Sequence, residues 1–273
     1  MGNLALGYFN RVRSGVTITG GSWRAALPAS NVASPERAAV ARSTTAATAD
    51  TKLNIDLGTA YTLRVIAFDA HNLSDSGQWL VKLGTSSGAS DVYLGTLTNW
   101  LQATSVESTI TEHGASKGDD YAAIKVLPAD YSARHLTIEV SDAGNAAGYV
   151  QIGYVFAGPA LIPQVNAAYG AWNDGHIDLS TSSRARSGAL WTDPVRRIKS
   201  SQVSLGALTT AEAAIVHEQQ RVLGTVGRVL FIPDISDADV TQRFGFIGRM
   251  SQLSALDHPQ YARRGNAFTL EQG

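Results

Sequence analysis

The stretch from Lys52 to Phe68, KLNIDLGTAYTLRVIAF, constrains the fold of this chain more than any other. Leu53, Ile55 and Leu57 alternate with Lys52, Asn54 and Asp56, so a strand here has one apolar and one hydrated face. Gly58 interrupts the pattern, and Leu63, Val65 and Ala67 begin a second alternation. The segment therefore predicts two strands joined by a tight turn, each giving one face to the core of a β-sandwich.

Further short apolar runs bounded by Gly, Ser, Asn, Asp or Pro extend the pattern: Val16–Thr19, Trp79–Leu83, Val92–Leu97, Ala122–Leu127, Leu136–Val140 and Val150–Phe156. With the first two they make eight short strands, the number that suits a two-sheet jelly roll. Leu27 to Ala49, rich in Ala, Ser and Thr and holding Pro28 and Pro35, reads as a long irregular connection. The texture changes after Gly158 and Pro159, so residues 1–158 are expected to form the sandwich. Residues 159–190 read as an extended Gly/Ser-rich arm or loop, and 191–273 as a smaller α+β domain with one prominent helix. That helix is expected over Leu208 to Leu223, between strands at Val195–Leu205 and Val226–Ile232. Thr209 and Glu212 form its capping box, Ala211, Ala214, Ile215, Val222 and Leu223 its apolar face, and Gly224 its stop. Phe244–Met250 and Phe268–Leu270 read as two more strands.

Composition narrows the function classes. A net charge of −1 from 22 basic and 23 acidic residues supplies no field to draw in nucleic acid or an anionic membrane. Charged residues are 16% of the chain, below the roughly 25–35% usual for a soluble surface. Part of the surface is therefore expected to be covered by other chains. There are no cysteines, so disulfides, zinc–thiolate sites and a thiol nucleophile are excluded, and folding needs no oxidising compartment. The N-terminal MGNLALGYFNRVRSG lacks the long apolar core of a signal peptide, and no run approaches the ~18 apolar residues of a membrane span.

No catalytic motif is present. The six histidines are scattered without an HExxH spacing, and neither a GxSxG elbow nor a GxxxxGK[ST] loop occurs, so no enzyme, cofactor or metal is expected. Asp119 and Asp120 are adjacent carboxylates that read as a solvated turn. Asp234, Asp237 and Asp239 imitate a calcium loop but lack its sixth-position Gly and distal Glu, and a short helical turn capped by Asp234 or Ser236 is the expectation there. Aromatic rings suit a sugar platform, because a ring face stacks on a pyranose. Trp79, Trp100, Tyr61 and His71 are the candidates for glycan contact, set against a core-filling role for Trp23 and Trp79. Trp172 and Trp191 lie in and beside the Gly-rich segment, where little local core exists. With Arg184, Arg186, Arg196 and Arg197 they are candidate anchors on a neighbouring subunit.

The IDLG hairpin resembles the opening of discoidin-like, galactose-binding-like sandwich domains. Three further segments resemble tailed-bacteriophage tail and baseplate proteins. LPASNVASPERAAVARST carries their P-A-x-N loop pattern through Pro28, Ala29, Asn31, Pro35, Arg42 and Ser43. Gly148 to Asn166, GYVQIGYVFAGPALIPQVN, is similar to the closing sandwich strand, and the segment from TDPVRRIKSS to FIPD is similar to the strand–helix–strand unit of distal tail proteins. The resemblance implies a virion structural protein of the siphophage tail tip, assembled in the host cytoplasm. Its subunits would form a ring, trimeric or hexameric, that links the tail tube to hub and receptor-binding parts. The alternative is an adhesion module whose sandwich docks host-surface glycan.

Overall fold

A computed structural model describes residues 3–102, 121–168, 170–260 and 262–273. In chain order its strands are β1 (Ala5–Gly7), β2 (Thr17–Thr19), β3 (Ala41–Arg42), β4 (Leu53–Phe68), β5 (Gln78–Gly84), β6 (Tyr93–Leu94), β7 (Thr98–Asn99), β8 (Ala123–Ser141), β9 (Gln151–Ile152), β10 (Val155–Gly158), β11 (Ala160–Leu161), β12 (Trp172–Asp178), β13 (Thr181–Arg184), β14 (Leu190–Asp193), β15 (Arg197–Leu208), β16 (Arg228–Ile232), β17 (Phe246–Gln252), β18 (Asp257–Gln260) and β19 (Arg263–Gln272). A 3-10 turn covers Ala29–Ala33, and helices α1 and α2 cover Thr210–Leu223 and Ala238–Phe244. The fold is mainly β. The chain divides into two compact units, one of residues 1–162 and 228–247, the other of 163–227 and 248–273. The return of 228–247 to the first unit differs from the single division near residue 158 that the sequence suggests.

The first unit is a sandwich built on β4 and β8. Its main sheet runs β10-β4-β8-β5-β6, with β2 on β4 and β7 on β5. The expected hairpin at Gly58 is absent: β4 is one strand of 16 residues, and both its halves pair antiparallel with the 19-residue β8. Gly58, at φ 83°, makes a bulge rather than a reversal, because pairing resumes at Tyr61 opposite Ala133. A second irregularity between Leu63 and Val65 shifts the register again. This changes which residues face which core. Leu63, Ile66 and Phe68 enter the cluster with Trp79, Val81 and Ile138. Val65 and Ala67 face a second cluster with Ala5, Phe156, Leu230 and Ile232. The far half of β4 is thus buried on both faces, which explains the unbroken apolar run VIAF. β1, pairing with β11 and β16, covers that second face. Gly7 permits the approach: a Cβ there would sit 2.8 Å from Val65 Cγ2 and 3.0 Å from Phe156 Cε1.

α2 also belongs to the first unit. Gln242 donates to the Ala122 carbonyl at 3.1 Å and accepts from the Gln102 amide at 3.3 Å, which ties the helix to the ends of sandwich strands. Asp237 is its N-cap, accepting from Val240 N, rather than Asp234 or Ser236. Asp234 instead accepts from the amide and hydroxyl of Ser236.

In the second unit α1 lies against β15 and β19, which pair with each other, with β12 on β15 and β17 on β19. The Thr209–Glu212 capping box is present, and Gly224 ends the helix at φ 54°. The buried face is Ala213, Val216 and Gln219, whereas Ala211, Ala214 and Val222 point to solvent. The apolar face read from the sequence is rotated because small alanines occur on both sides of this helix. Residues 159–190 are not a simple arm: Trp172–Asp178 is a strand on β15, and β13 pairs with β14 as a two-stranded ribbon. Alternating polar residues on an open strand carry little hydrophobic periodicity, so they read as loop.

Candidate functional site

The four residues proposed for glycan contact do not form a surface platform. Trp79 and Trp100 are 1% exposed and His71 2%. Alternation along β5 turns Trp79, Val81 and Leu83 inward together. Trp100 donates its indole N–H to the Ser74 carbonyl at 2.5 Å, and the His71 ring packs edge-on against it at 4.3 Å and against Phe68 at 5.4 Å. Burial holds the His71 imidazole at about 3, so the ring is neutral. Tyr61 is half-buried and lies under the Arg11 guanidinium, 4.5 Å from the ring centroid. These groups are core and its cover, not a stacking face.

A concave site of the sandwich unit lies elsewhere. A recess of about 360 Å³ is lined by Val12, Arg13, Ser14, Ser30, Ala33, Ser34, Pro35 and Tyr154. Three chain segments build it. At the first, Phe9 adopts φ 50°, a left-handed conformation that costs an ordinary residue about 1–2 kcal/mol. The turn places Asn10 as a hub: its Nδ2 lies 2.8 Å from the Val12 and Val155 carbonyls and from the Tyr154 hydroxyl, and its Oδ1 accepts from Val12 N and Ala157 N. The second segment is the 3-10 turn, closed by Asn31 N to Pro28 O and Ser34 N to Asn31 O, which presents Ser30, Ala33 and Ser34. Arg228 donates to the Pro35 carbonyl at 2.7 Å and steadies that end. The third is Tyr154, just before β10.

The chemistry of this lining is mixed. Ala33 and Pro35 supply apolar surface over the buried Val12, three serines supply hydroxyls, and Arg13 supplies a guanidinium that is exposed and unpaired among the described residues. Burial pushes the Tyr154 phenol above its ordinary range, and the Asn10 amide opposes the shift only in part. The phenol therefore stays protonated, and with its oxygen accepting from Asn10 its proton is free to donate. No carboxylate or imidazole stands among these lining residues. The sequence did not point here, although a long irregular connection is where binding residues concentrate, and a lone tyrosine within VQIGYVFAG was the remaining signal.

The second unit holds the residues proposed for subunit contact, and the structure separates them. Trp172 is half-buried, its indole N–H directed to Asp174 Oδ1 at 2.9 Å and Ser201 Oγ at 3.1 Å, so it is engaged with its own sheet. Trp191, opposite Ser183 on the ribbon, is 76% exposed. Arg184, opposite Leu190, donates to the Gly188 carbonyl; Arg186 is exposed; Arg196 is half-buried; and Arg197 pairs with Asp178 at 3.2 Å. All eight residues of β13 and β14 are exposed. The remaining sequence candidates, Asp119 and Asp120, lie outside the described residues. Among the described residues no group of three or more His, Cys, Asp or Glu could hold a metal ion, and no helix is long and apolar enough to cross a membrane.

No protein-family model matches this chain, and no curated protein does. Solved structures with partial likeness include the family 32 CBM of NanJ from C. perfringens in complex with galactose, at 11% identity and TM-score 0.40, covering 57% of this chain and 99% of that one. Another is CpGH89CBM32-5 from Clostridium perfringens in complex with GalNAc-β-1,3-galactose, at 8% identity and TM-score 0.39, covering 55% and 100%. A third is the lectin domain of Lectinolysin complexed with Lewis B antigen, at 13% identity and TM-score 0.37, covering 59% and 98%.

Proposed function

We propose that this chain is a non-catalytic glycan-binding module whose sandwich unit takes a saccharide in the recess beside Tyr154. The observation that carries the reading is the make-up of that recess. Apolar surface from Ala33 and Pro35 sits among serine hydroxyls, a phenol and one guanidinium, in a volume of about 360 Å³. A sugar has the matching pattern, with C–H faces for the apolar surface and hydroxyls for the donors and acceptors. The absence of a carboxylate or imidazole from the lining suits binding without turnover. Tyr154 donates to a sugar oxygen, and Arg13 selects among sugars at the open side.

Calorimetry with neutral mono- and disaccharides, following an array screen, tests this. Arg13→Ala, Ser34→Ala and Tyr154→Phe should each weaken binding by roughly fivefold or more, the worth of one hydrogen bond. Affinity unchanged in all three variants, or no saccharide bound by the folded wild type, overturns the proposal.

One observation favours a second reading, assembly into a larger particle such as a phage tail tip. The ribbon places Trp191 on one face and Leu190 on the other, with Leu190 57% exposed, and a two-stranded ribbon gains little stability alone in water. Mass photometry distinguishes the two: a discrete ring that Trp191→Ser disperses supports assembly, and a monomer at all concentrations removes it.

A further inference from the structure

A second site lies on the sandwich unit where Arg24, Arg42 and Tyr149 meet. The Arg42 Cζ is 4.3 Å from the Tyr149 ring centroid and the Arg24 Cζ 5.6 Å. The backbone forces this meeting. β3 pairs with β9, setting Arg42 opposite Gln151. Trp23 bridges to Ser43, and Arg24 N donates to Arg42 O at 2.9 Å. The fully buried Ser43 locks the third segment, its hydroxyl accepting from Val150 N at 2.9 Å. Asn72 then clamps both sides of Val150, donating to Tyr149 O at 3.0 Å and accepting from Gln151 N at 2.6 Å.

The charges in this arrangement are uncompensated. Arg42 Nη2 is held by the neutral Gln151 Oε1 at 2.8 Å, and among the described residues neither arginine forms an ion pair. Arg42 Nε is buried and has no hydrogen-bond partner. Two guanidinium groups on one ring repel each other, and the inner one has already lost part of its hydration. An anion meeting them gains two attractions and pays less to dehydrate the donor. A neutral sugar gains neither, and the arginines crowd the ring face on which it would stack.

We propose that this cluster binds the carboxylate of an acidic glycan, such as a uronate or sialate residue. The inference rests on the reading of the sandwich as a glycan-binding module, but it uses residues separate from the recess. A polysaccharide is favoured over nucleic acid because the chain has a net charge of −1 and the cluster holds two arginines rather than a basic stripe.

The test is calorimetry of the full chain with a glucuronate- or sialate-containing oligosaccharide, its carboxyl-reduced form, and single-stranded DNA, in wild type and in Arg24→Ala, Arg42→Gln and Arg13→Ala. The acidic form should bind about tenfold or more tightly than the reduced form, and Arg24→Ala should erase that difference. Arg24 is exposed, so this variant keeps the fold even where Arg42→Gln disturbs it. Equal affinity for acidic and reduced forms, an Arg24→Ala affinity unchanged for the acidic form, or DNA binding tighter than the oligosaccharide overturns the inference. Arg13→Ala separates the two proposals: loss of neutral-sugar binding with the acid preference intact places them on different residues. A failed recess leaves the preference lost in Arg24→Ala standing by itself.

Discussion

Acidification should destabilise the sandwich through His71. The imidazole is buried against Phe68 and Trp100, with Nδ1 accepting from Leu73 N at 3.3 Å. Burial, with a smaller contribution from Arg37, lowers it from 6.5 to about 3. The folded value lies below the unfolded one, so the unfolded chain takes up the proton first. The stabilising contribution is complete above about pH 6.5 and is lost as pH falls from there toward 3. Between pH 7 and pH 4 the loss amounts to about 3 kcal/mol from this one group. Urea unfolding followed by tryptophan emission measures it, in a Trp172→Phe, Trp191→Phe background so that the remaining tryptophans report the sandwich unit alone. His71→Gln keeps an acceptor and cannot titrate, and its stability should fall about 3 kcal/mol less over the same interval. Carboxylates held low by partners, such as Asp56 beside Arg134, contribute equally to both proteins and cancel. Parallel pH profiles for the two proteins would refute the reasoning, because His71 would then titrate as a hydrated side chain.

The remaining expectations concern packing and capping. Trp79→Ala should cost the sandwich about 3–5 kcal/mol as a large core truncation, measured by chemical denaturation, rather than acting selectively on glycan affinity. Gly7→Ala should cost about 1–3 kcal/mol, since the new methyl meets Val65, Phe156 and Leu230 Cβ within 3.1 Å, and a melting scan beside wild type shows it. Thr209→Ala removes the hydroxyl that accepts from Glu212 N and should destabilise α1 by about 1 kcal/mol, read as faster amide exchange in its first turn.

The mainly β class was legible because alternation marks half-buried strands directly, and the α1 capping box because its signal is four adjacent residues. The continuity of β4 was not. Gly58 suits both a turn and a bulge, and only pairing with β8 from Tyr61 onward decides between them. The same limit displaced the expected glycan contacts. Trp79 obeys the alternation that makes it core, whereas Trp100 and His71 follow irregular segments whose burial depends on each other's rings.

The recess shows why local pattern reaches no further. Arg13, Ser34 and Tyr154 come from separate segments, and the first and last of these are joined by one amide, Asn10, whose partners include residues 144 and 147 positions away. Its side chain satisfies backbone groups that would otherwise be buried without partners, so the same contacts that stabilise the loop also hold the Tyr154 oxygen as an acceptor. That leaves the phenol one proton to offer. The position of the Tyr154 hydroxyl therefore derives from a polar hub that is not itself among the lining residues, and the hub is recognisable only once the sandwich has closed around it.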